Sequence, residues 1–376
     1  MSIDLKRFIV MLLIAAGLLS VVAATISVRG SGDDWKIFWS AGHYVGSSKL
    51  LDVAHFVYMP GSAWTLWPFS QLPREIGYFV FAALSLVLSL AAARAASGVY
   101  GISRGVATAM ALVWWPLTIA LCLGQYAPVA LLLVMLAVVG IAKRREMLFA
   151  VAVGLLLYKP TMALPFLLLV PVWRLWKAAG IIAAMGAMWY ALSAAAVGTL
   201  FWIGPYLHAL SALYSVDRVV DGDYAIGLPG VLIHMGLSPT AGWLLGALLL
   251  LAALVPLARA PRVEAATMAS VIGLATTPHA YGYDALLLLP ALWYFAASAY
   301  RFRMPALFCI YCIAPFYLVS RRLHFDALAI DVVGIALVWA VWRLLRPGGD
   351  GAKDDEMALG ALFPREVAGA RDAGTT

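Results

Sequence analysis

The chain has 376 residues, of which 12% are Asp, Glu, Lys or Arg and 64% are apolar, with a mean hydropathy of +0.92. Soluble proteins carry about 25% charged and about 45–50% apolar residues, so a soluble multidomain enzyme, a disordered chain and a disulfide scaffold are excluded. What remains is an all-α polytopic membrane protein with a net charge of +7, its body basic and its last thirty residues acidic, with six acids against three bases.

A spanning helix needs roughly 20 mostly apolar residues. The first run, 8–28, follows Lys6 and Arg7. It is long for a signal peptide and more runs follow, so it is read as an uncleaved first helix with a cytoplasmic N-terminus. Further runs cover 76–96, 106–123, 126–142, 147–158, 161–173, 178–197, 241–258, 265–278, 285–300, 305–320 and 327–345. That predicts twelve membrane segments with both termini on one side. Basic residues favour cytoplasmic loops. In this arrangement 15 of the 23 basic residues before position 347 are inside, among them the cluster Lys143-Arg144-Arg145 and the pair Arg174 and Lys177.

Two runs, 147–158 and 161–173, are too short to span: 12 residues make about 18 Å of helix. They meet at Tyr158-Lys159-Pro160, which predicts a half-membrane hairpin whose tip lies against protein or a wet cavity. Two outer connections, 29–73 and 198–240, are long and rich in aromatics. Residues 34–45 are read as an amphipathic helix whose Trp35, Phe38 and Trp39 face lipid or protein. Residues 1–346 are taken as one membrane catalytic unit and 347–376 as a disordered cytoplasmic tail.

The rare polar groups inside this apolar chain are the functional candidates. Asp33-Asp34 follows the first helix; a carboxylate there can act as general base toward a sugar hydroxyl, or simply cap the interfacial helix. Lys159 at the hairpin tip can hold a phosphate as a point charge, or snorkel. Arg321-Arg322 can clamp a phosphate, or contact headgroups at a helix end. Thr277-Pro278-His279-Ala280-Tyr281-Gly282-Tyr283-Asp284 and Gly124-Gln125-Tyr126 make outer turns rich in polar and aromatic groups. Either can line a sugar site or be an ordinary turn.

The six histidines show no metal-ligand spacing, and Cys122, Cys309 and Cys312 are read as packing residues. With no Walker loop or dinucleotide fingerprint, neither a cofactor nor a metal is expected. The basic clusters are read as topology signals, so nucleic acid is not expected either.

Taken together, several pieces resemble glycosyltransferase family 87, membrane mannosyltransferases of GT-C architecture that use polyprenyl-phosphate-mannose. They are Asp34-Trp35-Lys36-Ile37-Phe38-Trp39-Ser40-Ala41-Gly42, Phe56-Val57-Tyr58-Met59-Pro60, Gly124-Gln125, the Lys159-Pro160 tip with Arg174-Leu175-Trp176-Lys177, and Thr277-Pro278-His279 with Tyr283-Asp284. Gly227-Leu228-Pro229-Gly230 is a looser counterpart in the second long connection.

The resemblance implies a GT-C-like fold in the inner (cytoplasmic) membrane, with its site facing the periplasm or exterior. It implies inverting transfer from a polyprenyl-phosphate sugar to a lipid or glycan acceptor. Asp34 would be the general base, with Asp33 as fallback. Lys159, Arg321 and Arg322 would bind the donor phosphate. Tyr58, Gln125, His279, Tyr283 and Asp284 would bind substrate. The alternatives are a secondary transporter or flippase of lipid-linked sugars, and a non-catalytic assembly factor. Against a transporter, the half-length hairpin has no counterpart in the second half of the chain.

Overall fold

A computed structural model describes residues 3–28, 33–53, 55–220, 224–297 and 326–345. Among these residues the chain is helical and has no β-strand, only an isolated bridge between Ala225 and Tyr281. The helices are α1 (Ile3–Val28), α2 (Asp33–His43), α3 (Ala63–Ser70), α4 (Arg74–Tyr100), α5 (Arg104–Val113), α6 (Trp115–Leu123), α7 (Ala127–Ala142) and α8 (Glu146–Leu156). They continue as α9 (Pro160–Val172), α10 (Trp176–Val197), α11 (Ile203–Val220), α12 (Leu228–His234), α13 (Pro239–Arg259), α14 (Arg262–Thr276), α15 (Leu289–Ala297) and α16 (Ala327–Leu345).

Five of them, α1, α4, α10, α13 and α16, are long and apolar enough to cross a membrane, and the bent pair α5–α6 would make a sixth span. The other expected segments are shorter helices, and the run 305–320 lies outside the described residues. The 60° bend between α5 and α6 has a local cause. Trp114 is extended, and Pro116 in the first turn of α6 has no N–H to continue the ladder.

The expected hairpin is present. Helix α8 has 11 residues and α9 has 13, about 17 and 20 Å, against a hydrocarbon core of about 30 Å. Pro160 opens α9, where its missing N–H is not needed. Helix α8 packs against α7 and α10, and α9 packs against α14. At the far end, Glu146 accepts a hydrogen bond from the Ala178 N–H, 2.8 Å away in the first turn of α10.

Helix α14 is the buried axis: Glu264 through Ala275 are all buried, and Ala265, Ala266, Ala269, Ser270 and Gly273 are small. Small faces let helices approach closely. Its first turn holds a buried acid. Glu264 accepts from Trp339 Nε1 and Arg343 Nε, each at 2.6 Å, from Tyr294 OH at 2.8 Å, and from Arg343 Nη2. One carboxylate thus ties α14, α15 and α16 together.

The first long connection is ordered by aromatic packing. The α2 face that was expected to meet lipid or protein meets protein. Trp35 is fully buried against Tyr78 and Phe81, and its indole donates to the Arg74 carbonyl at 2.8 Å. Trp39 donates to the Leu72 carbonyl at 3.1 Å. These bonds lock α2 onto the junction of α3 and α4.

The second connection docks by backbone on the break after α14. Ile226 N–H donates to the Ala280 carbonyl at 2.9 Å. A Cβ at residue 227 would lie 2.0 Å from the Thr277 carbonyl oxygen, so only glycine fits there.

Candidate active site

Four chain breaks converge on one place: the connection after α2, the α6–α7 turn, the α8–α9 tip and the break after α14. Gln125 is set by a helix-end motif. Gly124 has φ +71° and terminates α6, with the Gly124 N–H on the Leu121 carbonyl (3.1 Å) and the Gln125 N–H on the Ala120 carbonyl (2.8 Å). This is the Schellman pattern of bonds, which favours glycine at the left-handed position. A Cβ there would also press on the Trp35 ring at 3.1 Å. Held this way, Gln125 donates from Nε2 to Asp34 Oδ2 at 2.6 Å and accepts from Tyr58 OH at 3.1 Å.

Tyr58 continues the run. Lys159 Nζ lies 5.7 Å from the centroid of its ring and 6.0 Å from that of Tyr283. The ammonium pairs with Asp284 Oδ1 at 2.6 Å, the two side chains being 8% and 2% exposed. Asp284 Oδ2 accepts from the Tyr281 N–H at 3.2 Å, so the carboxylate is fixed from both oxygens. Burial pushes the Tyr58 hydroxyl well above its usual pKa, and the charge of Asp284 adds to this. Tyr58 therefore stays a neutral donor.

Beneath these groups lies an aromatic floor. The rings of Tyr58, Tyr126 and Tyr158 stand 5.3 to 5.7 Å apart, with Phe38 on Tyr58 and Tyr126. Tyr126 hydrogen-bonds Thr65, and the Tyr158 carbonyl accepts from the Met59 N–H at 3.1 Å. On the other side His279 stacks edge-on against Tyr281 at 4.7 Å. It sits in the break after α14, where burial, and then the charge of Lys159, lower its pKa to about 3. It is neutral at ordinary pH.

Of the residues singled out from sequence, Asp34, Tyr58, Gln125, Lys159, His279, Tyr283 and Asp284 come together here. Tyr283 lies within electrostatic reach of both Asp34 and Tyr58. Asp33 opens α2 beside Asp34, but its side chain lies outside the described residues, as do Arg321 and Arg322. Sequence reasoning gave no role to Tyr126 or Tyr158. Their signal was adjacency: each follows or precedes a polar residue already under suspicion, Gln125 or Lys159.

A half-buried carboxylate joined through two buried side chains to a buried ammonium can take a proton at one end and stabilise an anion at the other. No curated protein and no solved structure matches the chain. The family model described as Glycosyltransferase family 87 matches residues 56–290, which hold six of the seven sequence-predicted residues brought together here, all but Asp34. The chain belongs to glycosyltransferase family 87 and is a membrane glycosyltransferase.

Proposed function

We propose that the protein moves a sugar, mannose in the reading the family resemblance implies, from a polyprenyl-phosphate-linked donor to a hydroxyl of a lipid or glycan acceptor, with inversion at the anomeric carbon. The observation that carries this reading is the run from Asp34 through Gln125 and Tyr58 to the Lys159–Asp284 pair. The acceptor oxygen bonds to the anomeric carbon while Asp34 takes its proton. The bond from that carbon to the phosphate oxygen breaks, and its electron pair leaves on the polyprenyl phosphate. Asp33 is the fallback base.

An ammonium has three donors. Asp284 takes one from Lys159, and the others serve the oxygens of the departing phosphate, joined in this reading by Arg321 and Arg322. Electrostatic stabilisation of the charge that develops on a leaving group often contributes more to the rate than any other effect. His279 and Tyr283 orient donor or acceptor. Phosphate is a fair leaving group, so the reading assigns no metal.

The site is assigned to the non-cytoplasmic side of the cytoplasmic membrane. Basic clusters support this, because they sit at the opposite helix ends. Lys143, Arg144 and Arg145 precede α8 and Arg174 follows α9, whereas Lys159 lies between the two helices. Arg262 opens α14, whereas His279 follows it. Positive residues mark the cytoplasmic side.

The test is incubation of the purified protein, reconstituted in lipid, with several polyprenyl-phosphate sugars and mass analysis of the lipid products. Loss of a general base typically lowers the rate about 10²–10⁴-fold, which is the expectation for Asp34→Asn. Wild-type rates in both Asp34→Asn and Asp33→Asn would remove this step from the mechanism.

A further inference from the structure

We propose that Gln125 is a positioning residue for the base: it touches Asp34 rather than substrate, and Tyr58 sets which way its amide points. The proposal rests on the assignment of Asp34 as general base. Three observations carry it. The first is that both ends of the amide are in use, with Nε2 on Asp34 Oδ2 at 2.6 Å and Oε1 on Tyr58 OH at 3.1 Å. Second, Gln125 and Tyr58 are each 3% exposed, which leaves them little surface for a sugar. Third, the Schellman turn at Gly124 and the Trp35 ring behind it hold the backbone of Gln125 still.

The chemistry follows from the amide's two ends. An inverted amide would put its carbonyl against the carboxylate, two acceptors in contact. Tyr58 disfavours that, because its protonated hydroxyl would lose the acceptor it now has in Gln125 Oε1. A donor on one carboxylate oxygen favours the ionised form and fixes the plane of the group. Gln125 thereby keeps Asp34 charged and aimed.

Tyr58 and Tyr283 are neutral groups within electrostatic reach of Asp34, and Asp284, which shares that neighbourhood, is balanced by Lys159. Lys36 is on the same helix. Of the elements packed on α2, α3 carries no titratable group, α4 brings Arg74, Glu75 and Tyr78, and α6 brings Cys122. Tyr78, on the Trp35 flank, donates its hydroxyl to the Cys122 backbone carbonyl at 3.2 Å.

The experiment is the pH profile of kcat and kcat/KM for sugar transfer in wild type, Gln125→Met, Tyr58→Phe and the double variant, with Asp34→Asn as reference. Gln125→Met is expected to move the acid limb up by about one pH unit, so that below the limb its rate is about tenfold lower than wild type. Tyr58→Phe is expected to move it the same way by less, and the double variant to match Gln125→Met alone, because the two act in series. KM for the sugar substrates is expected to stay within about twofold. An unmoved limb with a raised KM in Gln125→Met would make Gln125 a substrate contact and overturn the proposal, while Asp34 remains the base. An active Asp34→Asn would instead overturn the assignment of the base itself. Thermal unfolding of each variant keeps a folding defect apart from either outcome.

Discussion

The Lys159–Asp284 pair separates structure from catalysis in one experiment. Its atoms are 2.6 Å apart and its side chains 8% and 2% exposed, so neither charge can turn to water. Removing one partner from such a pair costs about 3–5 kcal/mol, since the other charge is left buried. The Tyr281 N–H still serves the Asp284 carboxylate at 3.2 Å, which places Lys159→Met near the low end of that range, about 3 kcal/mol. Removing both charges is often close to neutral for stability.

The double variant Lys159→Met with Asp284→Asn should therefore unfold within about 1–2 kcal/mol of wild type, while each single variant is visibly weakened. Activity should not follow stability. A charge-assisted contact to phosphate is worth about 1.5–3 kcal/mol, or roughly 10–150-fold in donor binding, and the double variant still lacks it. The assay is thermal unfolding in detergent beside donor affinity and transfer rate. Recovery of wild-type transfer in the double variant would show that Lys159 does not grip the donor. Wild-type unfolding in both single variants would show that the pair is not buried as described.

Two further outcomes are expected. With a folded pKa of about 3 against about 6.5 unfolded, His279 contributes stability that is fully present above pH 6.5 and lost as pH falls toward 3. By pH 5 the loss is on the order of 2 kcal/mol, so wild type should lose more of its unfolding temperature between pH 7.5 and pH 5 than His279→Gln does; equal losses would contradict the burial of a neutral imidazole. At the other end of α14, Glu264→Ala leaves Arg343 buried and should destabilise by about 3–5 kcal/mol without shifting the pH profile of transfer. The check is unfolding together with that profile, and an unchanged unfolding temperature would refute it.

Some of this was legible in the chain before any coordinates. Apolar run lengths marked where helices form, because a hydrocarbon solvent leaves the backbone few other options, but of the twelve expected membrane segments only five, or six with the bent pair, are long enough to cross among the described residues. Two runs too short to cross, joined at Lys159-Pro160, announced the hairpin that α8 and α9 form. An ionisable residue in a membrane protein is a functional candidate by default, which is why Asp34, Lys159 and Asp284 stood out, while their roles came from the family resemblance.

What rarity does not carry is partnership. Asp34 and Gln125 are 91 positions apart, and Lys159 and Asp284 are 125 apart. Nothing periodic links such positions, so reading along the chain assigned Lys159 to a phosphate and Asp284 to a substrate without seeing that they hold each other. The aromatic floor was hidden for the same reason: Tyr58 was placed at the site by the family resemblance, but its packing with Tyr126 and Tyr158 shows only when the α2, α6–α7 and α8–α9 breaks are stacked. Nothing in the sequence sets Glu264 apart, and only the packing of α15 and α16 on α14 makes it a buried knot. Composition and run length determined which solvent each segment prefers, since transfer free energy is a local property. Which polar groups meet depended on side chains brought together from distant helices, and that is decided by tertiary packing.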